Sequence, residues 1–124
     1  MNKYHYYNPY TGYSYRLSEH AKLRMWERFR TLDIEREFKL FHLFMVKPQI
    51  DDLVANMHVG EELVIKNCFN NKVYVVVLTT DLVIECKTVY RDNFYRQFVP
   101  NNGKPLYRLY KDESIHRWIE RDNQ

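Results

Sequence analysis

The stretch ELVIKNCFNNKVYVVVLTTDLVIECKTVYR, residues 62–91, decides the architecture. It holds three runs, LVIKN, VYVVVLTT and LVIECKTVYR, rich in the Val, Ile, Tyr and Thr that suit a pleated, half-buried surface. Asn70-Asn71 can supply the positive φ of a tight hairpin turn, and Thr80-Asp81 makes a short second connection. The expected sheet is an antiparallel meander. The unbroken apolar run Val73 to Leu78 suits its central strand, with helices over one face and aromatics from the termini over the other.

Upstream of the meander the apolar period becomes helical. Ser18 precedes EHAKLRMWERFR, where a hydroxyl can cap free backbone N–H groups and Glu19 suits the positive helix end. This predicts a helix from Glu19 to about Arg30, with Ala21, Met25 and Phe29 on its inner face and Trp26 at the edge. Asp33 can cap a second helix from Ile34 to about Val46, whose stripe is Ile34, Phe38, Phe41 and Met45, with His42 at its edge and Pro48 as the stop. Residues 49–57 read as a short third helix or an irregular loop, ended by Gly60.

Before the first helix, Asn8-Pro9 and Thr11-Gly12 carry turn chemistry, and the alternation Tyr13 to Arg16 reads as a short strand. Beyond Arg91 a loop-like stretch with Pro100, Gly103 and Pro105 leads to an expected amphipathic tail helix, about Asp112 to Arg121. The fold class is α+β: two N-terminal helices packed on a three- to four-stranded antiparallel sheet, with a C-terminal helix. The 124 residues suffice for one core, divided into a Tyr-rich arm (1–16), a core (17–91) and a basic aromatic loop with tail helix (92–124).

Composition narrows the function classes. Hydrophobic residues at 45% and charged residues at 28% mark a folded chain, and a net charge of +3 does not by itself point to nucleic acid. Cys68 and Cys86 form no CxxC and have no His at zinc-finger spacing, so neither a disulfide framework nor a structural metal is expected. With no apolar leader-like start and no membrane-length run, the expected setting is the cytoplasm. Aromatic content is high at 16%, with 11 Tyr, six of them within the first fifteen residues.

Two constellations carry chemistry. Residues 87–111 place Lys87, Arg91, Arg96, Lys104, Arg108 and Lys111 against one acid, Asp92, and interleave them with Tyr90, Phe94, Tyr95, Phe98, Tyr107 and Tyr110. Cations contact phosphates and aromatic faces stack on splayed bases, which is how single-stranded RNA is held. The bland counterpart is a solvated edge over a Tyr-rich core. The other constellation is the ridge His20, Arg24, Arg28 on the first helix, an i, i+4, i+8 row that sets a proton-transfer group beside two cations. The same ridge also reads as a solvated face with Arg24 paired to Glu27 or Glu19.

These residues resemble a known family. The motif S-x-H-x-x-x-R-x-x-x-R at Ser18, His20, Arg24 and Arg28, followed by Leu40-Phe41-His42 and by strands closing on KTVYRD, is similar to the RelE-like/BrnT-like superfamily. Within it, the nearest likeness is to RegB-type phage endoribonucleases, and it spans about Arg16 to Arg91. The resemblance implies a RelE-like fold and metal-independent cleavage of single-stranded mRNA without a cofactor. It matches His20 and His42 to two helix histidines, Arg24 to the arginine one turn after the first, and Tyr90-Arg91 to a final-strand position near the scissile phosphate. The expected catalytic set is His20, Arg24, His42 and Arg91. The expected RNA-binding set is Arg28, Lys87, Tyr90, Tyr95, Arg96, Lys104 and Arg108. The partner would be single-stranded RNA, with no preference for DNA and no membrane. Two alternatives stand beside this: a non-catalytic phage protein gripping a host protein, ribosomal or regulatory, through its tyrosines, and an RNA-binding repressor.

Overall fold

A computed structural model describes residues 5–9, 12–91 and 106–118. The chain order is β1 (His5–Tyr7), β2 (Ser14–Leu17), α1 (Glu19–Phe29), α2 (Ile34–Met45), α3 (Pro48–Ala55), β3 (Glu62–Asn67), β4 (Lys72–Leu78), β5 (Val83–Arg91), β6 (Leu106–Leu109) and β7 (Ile115–Trp118). The class is α+β, and no helix among the described residues is long and apolar enough to cross a membrane.

Both helix starts follow from their caps. The Ser18 hydroxyl accepts from Ala21 N at 2.9 Å, and the Asp33 carboxylate accepts from Arg36 N at 3.0 Å, each satisfying an otherwise orphaned donor. Pro48 ends α2 as expected but also opens α3, where its missing N–H costs nothing in the first turn. The segment left open between helix and loop is therefore α3.

The meander β3–β4–β5 is antiparallel as expected, and Asn71 takes the left-handed turn conformation at φ 60°. The expected three- to four-stranded antiparallel sheet needs correction. Among the described residues the sheet has seven strands in the order β1-β2-β5-β4-β3-β6-β7, and it is mixed, because β2/β5 and β3/β6 pair in parallel. Residues of the Tyr-rich arm supply β1 and, together with Leu17, β2, a hairpin with Tyr6 opposite Tyr15.

The expected tail helix is also corrected, since Ile115–Trp118 is a strand paired with β6. Asp112, the expected start of that helix, instead accepts from Ser114 N at 3.0 Å within a tight turn that Glu113 completes at φ 66°. Tyr110 N donates to the Ser114 carbonyl at 2.8 Å and closes the β6–β7 hairpin. Residues 119–121 of that expected helix lie outside the described residues.

Side-chain alternation along β4 divides the interior. Tyr74, Val76 and Leu78 join the main core under the helices, whereas Val73 and Val75 face the other way, against Val64 and Tyr90. A bulge shifts the β4–β5 register between Val75 and Val76, so that Cys86 and Val89, three residues apart, both enter the main core. Lys87 is the extra residue of this bulge.

One charged pair is built into the packing. Lys72 Nζ lies 2.6 Å from Glu37 Oε1, with side chains only 14% and 9% exposed, and 4.7 Å from the centroid of the Phe29 ring. Removing one member strands the other charge, whereas replacing both with apolar residues removes the desolvation penalty as well. Glu37→Ala should therefore lower unfolding free energy by roughly 3–5 kcal/mol. The double variant Glu37→Leu/Lys72→Met should regain most of it, as read from urea midpoints.

Candidate functional site

The site is built where α1 runs beside the second half of β5. Strand β2 pairs with β5 only from Ser14↔Val83 to Leu17↔Cys86. Past Cys86 that side of β5 meets α1 instead. Ser18 N donates to the Cys86 carbonyl at 3.0 Å and its hydroxyl donates to the Lys87 carbonyl at 3.1 Å. Ten residues on, Arg28 Nη1 donates to the Val89 carbonyl and to Thr88 Oγ1, the latter at 3.3 Å. The helix thereby satisfies edge carbonyls that would otherwise invite another strand.

Along this seam the ridge appears as a row. His20 is exposed, and its Nε2 accepts from Arg24 Nε at 3.2 Å. An accepting Nε2 means that the ring proton of the neutral imidazole sits on Nδ1. Arg24 also pairs with Glu27, while Glu19 takes Lys22 at 2.8 Å. At the far end the Arg28 guanidinium lies 4.3 Å from the Tyr90 ring centroid, and Arg91 lies 5.5 Å from that of Phe29. Lys87 is exposed and paired with Glu62 at 2.7 Å. Among the described residues Arg28 and Arg91 meet no carboxylate.

The structure thus sets His20, Arg24 and Arg28 on α1 beside β5, where Arg28 meets Tyr90 and Arg91 meets Phe29 on the opposite face of the sheet, while Lys87 turns toward Glu62 on β3. Of the other expected residues, the described ones, Arg108 and His42, have other surroundings. Arg108 is on β6, opposite Lys66, with β3 and β4 between it and β5. Tyr95, Arg96 and Lys104 lie outside the described residues. His42 has its own surroundings: its ring stacks on Tyr6 at 4.5 Å and tilts against Phe38 at 5.3 Å. Its Nδ1 is buried with no hydrogen-bond partner among the described residues. Burial, and secondarily the charge of Lys39, push the His42 pKa below the ordinary 6.5.

Phe29 was read from sequence only as a core residue. The structure adds that its ring faces two cations, Lys72 and Arg91. Helical spacing marks the inner face but does not show which strand ends beside it. Among the described residues no three His, Cys, Asp or Glu side chains gather in a way that could hold a metal ion. In comparisons with known proteins, no family model, no curated protein and no solved structure matched the chain.

The His42 surroundings have a pH consequence. The folded chain favours neutral His42, so on acidification the unfolded chain binds that proton first. This contribution to stability is present above about pH 6.5 and declines as pH falls below it. Between pH 7.5 and 5, wild-type denaturation midpoints should fall more steeply than those of His42→Phe. Parallel pH profiles would show that His42 is not buried against Tyr6 in solution.

Proposed function

We propose that this chain is a metal-independent endoribonuclease acting on single-stranded RNA in the cytoplasm, with its chemistry on the α1–β5 seam. The observation that carries the reading is the His20–Arg24 hydrogen bond at the head of a row that continues to Arg28 and Tyr90. A proton acceptor beside a fixed guanidinium is what attack of a ribose 2′-hydroxyl on its own phosphate requires. When the phosphate engages Arg24, the Nε2 lone pair of His20 is freed to take the 2′ proton. The 2′ oxygen bonds to phosphorus, the 5′ oxygen leaves as a hydroxyl with a proton from solvent, and a 2′,3′-cyclic phosphate remains. Arg24 counters the added negative charge on the phosphoryl oxygens. His42 serves by holding β1 against α2 through the Tyr6 stack.

The finer fold assignment, a RelE-like arrangement, belongs to the same proposal. It is supported by the succession of α1 and α2 before the antiparallel β3–β4–β5 meander. A second reading, a non-catalytic protein that binds a host protein, draws on Trp26, which is 44% exposed with Arg30 5.3 Å from its ring centroid. Trp and Arg dominate interface hot spots.

The test is incubation of purified protein with mixed-sequence single-stranded RNA in EDTA, with end-group mapping of the products. Discrete cuts ending in 2′,3′-cyclic phosphate are expected. Turnover should fall by about 10²-fold or more in His20→Ala, in line with general acid–base contributions, and far less in His42→Phe. Intact RNA would reject the nuclease and favour the host-protein reading, and undiminished cutting by His20→Ala would reject the site.

A further inference from the structure

We propose that the outward face of α1 is a self-association surface, on which a second copy of this chain packs its own α1 antiparallel to the first. The proposal does not depend on the ribonuclease reading.

Four positions build the face. At about 100° per residue, Glu19, Leu23, Trp26 and Arg30 fall within about 60° of one another around the axis. They lie on the side of α1 away from Ala21 and Met25, which are buried, and all four are exposed. Leu23 is 51% open and Trp26 44%, so the core uses little of either. Single exposed apolar residues are ordinary, but two at i, i+3 with a charge at each end make a strip suited to covering.

The order of these side chains identifies the occupant. Glu19 and Arg30 stand at equal distances on either side of the helix midpoint, which falls between Arg24 and Met25, and Leu23 and Trp26 stand at equal distances inside them. Reversing the helix therefore sets Glu19 of each copy against Arg30 of the other, and Leu23 of each against Trp26 of the other. Every member of the strip then meets its complement, as a two-fold contact between identical surfaces requires. A parallel pair fails this condition, because it sets Glu19 on Glu19 and Arg30 on Arg30. An unrelated partner would have to bring the same pattern reversed, whereas a second copy already carries it.

The surroundings agree with this use. Arg30 is held 5.3 Å from the Trp26 ring centroid, so its charge stays at the end of the strip. Glu27, exposed at the flank, is paired with Arg24 and brings no net charge to the contact. His20 and Arg24 are at least a quarter-turn round the helix from the strip, so the α1–β5 seam stays open in the dimer. With 11 residues, α1 is about 16 Å long, and one such helix on its copy makes a small interface. The dimer should therefore dissociate on dilution.

The test is sedimentation velocity on the purified full chain from about 10 μM to about 1 mM, where associations of that strength are populated. Wild type should pass from monomer toward dimer over this range. Glu19→Arg and Arg30→Glu each turn two exposed ion pairs into repulsions and should weaken dimerisation by about tenfold. Mixed in equal amounts, the two variants restore both opposite-charge pairs in the heterodimer and should associate about as well as wild type. Trp26→Ala, which removes the centre of the strip, should weaken dimerisation by about tenfold or more. Because the Trp26 side chain is exposed, this variant keeps the test decisive if a charge variant melts early. Monomer throughout would overturn the proposal and leave this face to the host-protein reading. A dimer unaffected by Trp26→Ala, or a mixture no tighter than its separate variants, would also overturn it by placing the contact elsewhere or in another orientation.

Discussion

Ser18 is the point on which the rest depends. Its backbone N–H closes the last bond of the parallel β2/β5 pairing, at the Cys86 carbonyl. Its hydroxyl both accepts from Ala21 N and donates to the Lys87 carbonyl. One residue therefore ends a strand, starts a helix and fastens that helix to the neighbouring strand. A hydroxyl can do this because it offers a donor and acceptor lone pairs together. With α1 fastened at its start, the helical repeat carries Arg28 to the β5 edge almost three turns later, where its hydrogen bonds and the Tyr90 ring fix the other end.

The seam is stiff because its two walls are tied to the core by different means. Met25 and Ala21 on α1 are fully buried, as are Cys86 and Val89 on β5. Beneath the end of the row, Lys72 joins β4 to α2 through Glu37 and touches the same Phe29 ring that Arg91 lies over. Two cations near one ring repel each other, and Glu37 offsets this for Lys72 alone. Arg91 is exposed and has no carboxylate beside it among the described residues. A site on a helix and a strand held this way keeps its geometry better than one on loops.

Much of this was legible in the sequence, and the parts that were not share a cause. Ser18 and Asp33 announce helix starts because capping is local, and LVIKN, VYVVVLTT and LVIECKTVYR announce strands because Val and Ile crowd a helix. The parallel pairings of β2 with β5 and of β3 with β6 join segments far apart in sequence, and nothing local encodes them. The bulge at Lys87 was hidden for the same reason, since Val75 and Val76 define it as much as β5 does. Asp112-Glu113-Ser114 carries both a helix-cap and a turn signal, and the availability of β6 as a partner decides for the turn. At the site, the ridge His20, Arg24, Arg28 was visible from spacing alone. That Tyr6 would stack on His42 was not, because it requires β1 to fold back beside β2.

The separation of His42 from the ridge bears on what kind of catalyst this geometry can make. Two helix histidines in one sequence suggest an acid–base pair, yet their surroundings ask for opposite properties. His20 is exposed, and its Nε2 accepts from the Arg24 guanidinium, which in the proposed mechanism a phosphate would draw away. His42 is held among aromatic rings, where a proton would have to be buried near Lys39 without a counter-charge. Such a ring packs well as a neutral group and transfers protons poorly. In the proposed ribonuclease, the α1–β5 seam would therefore work with one proton acceptor beside a guanidinium and without a second histidine.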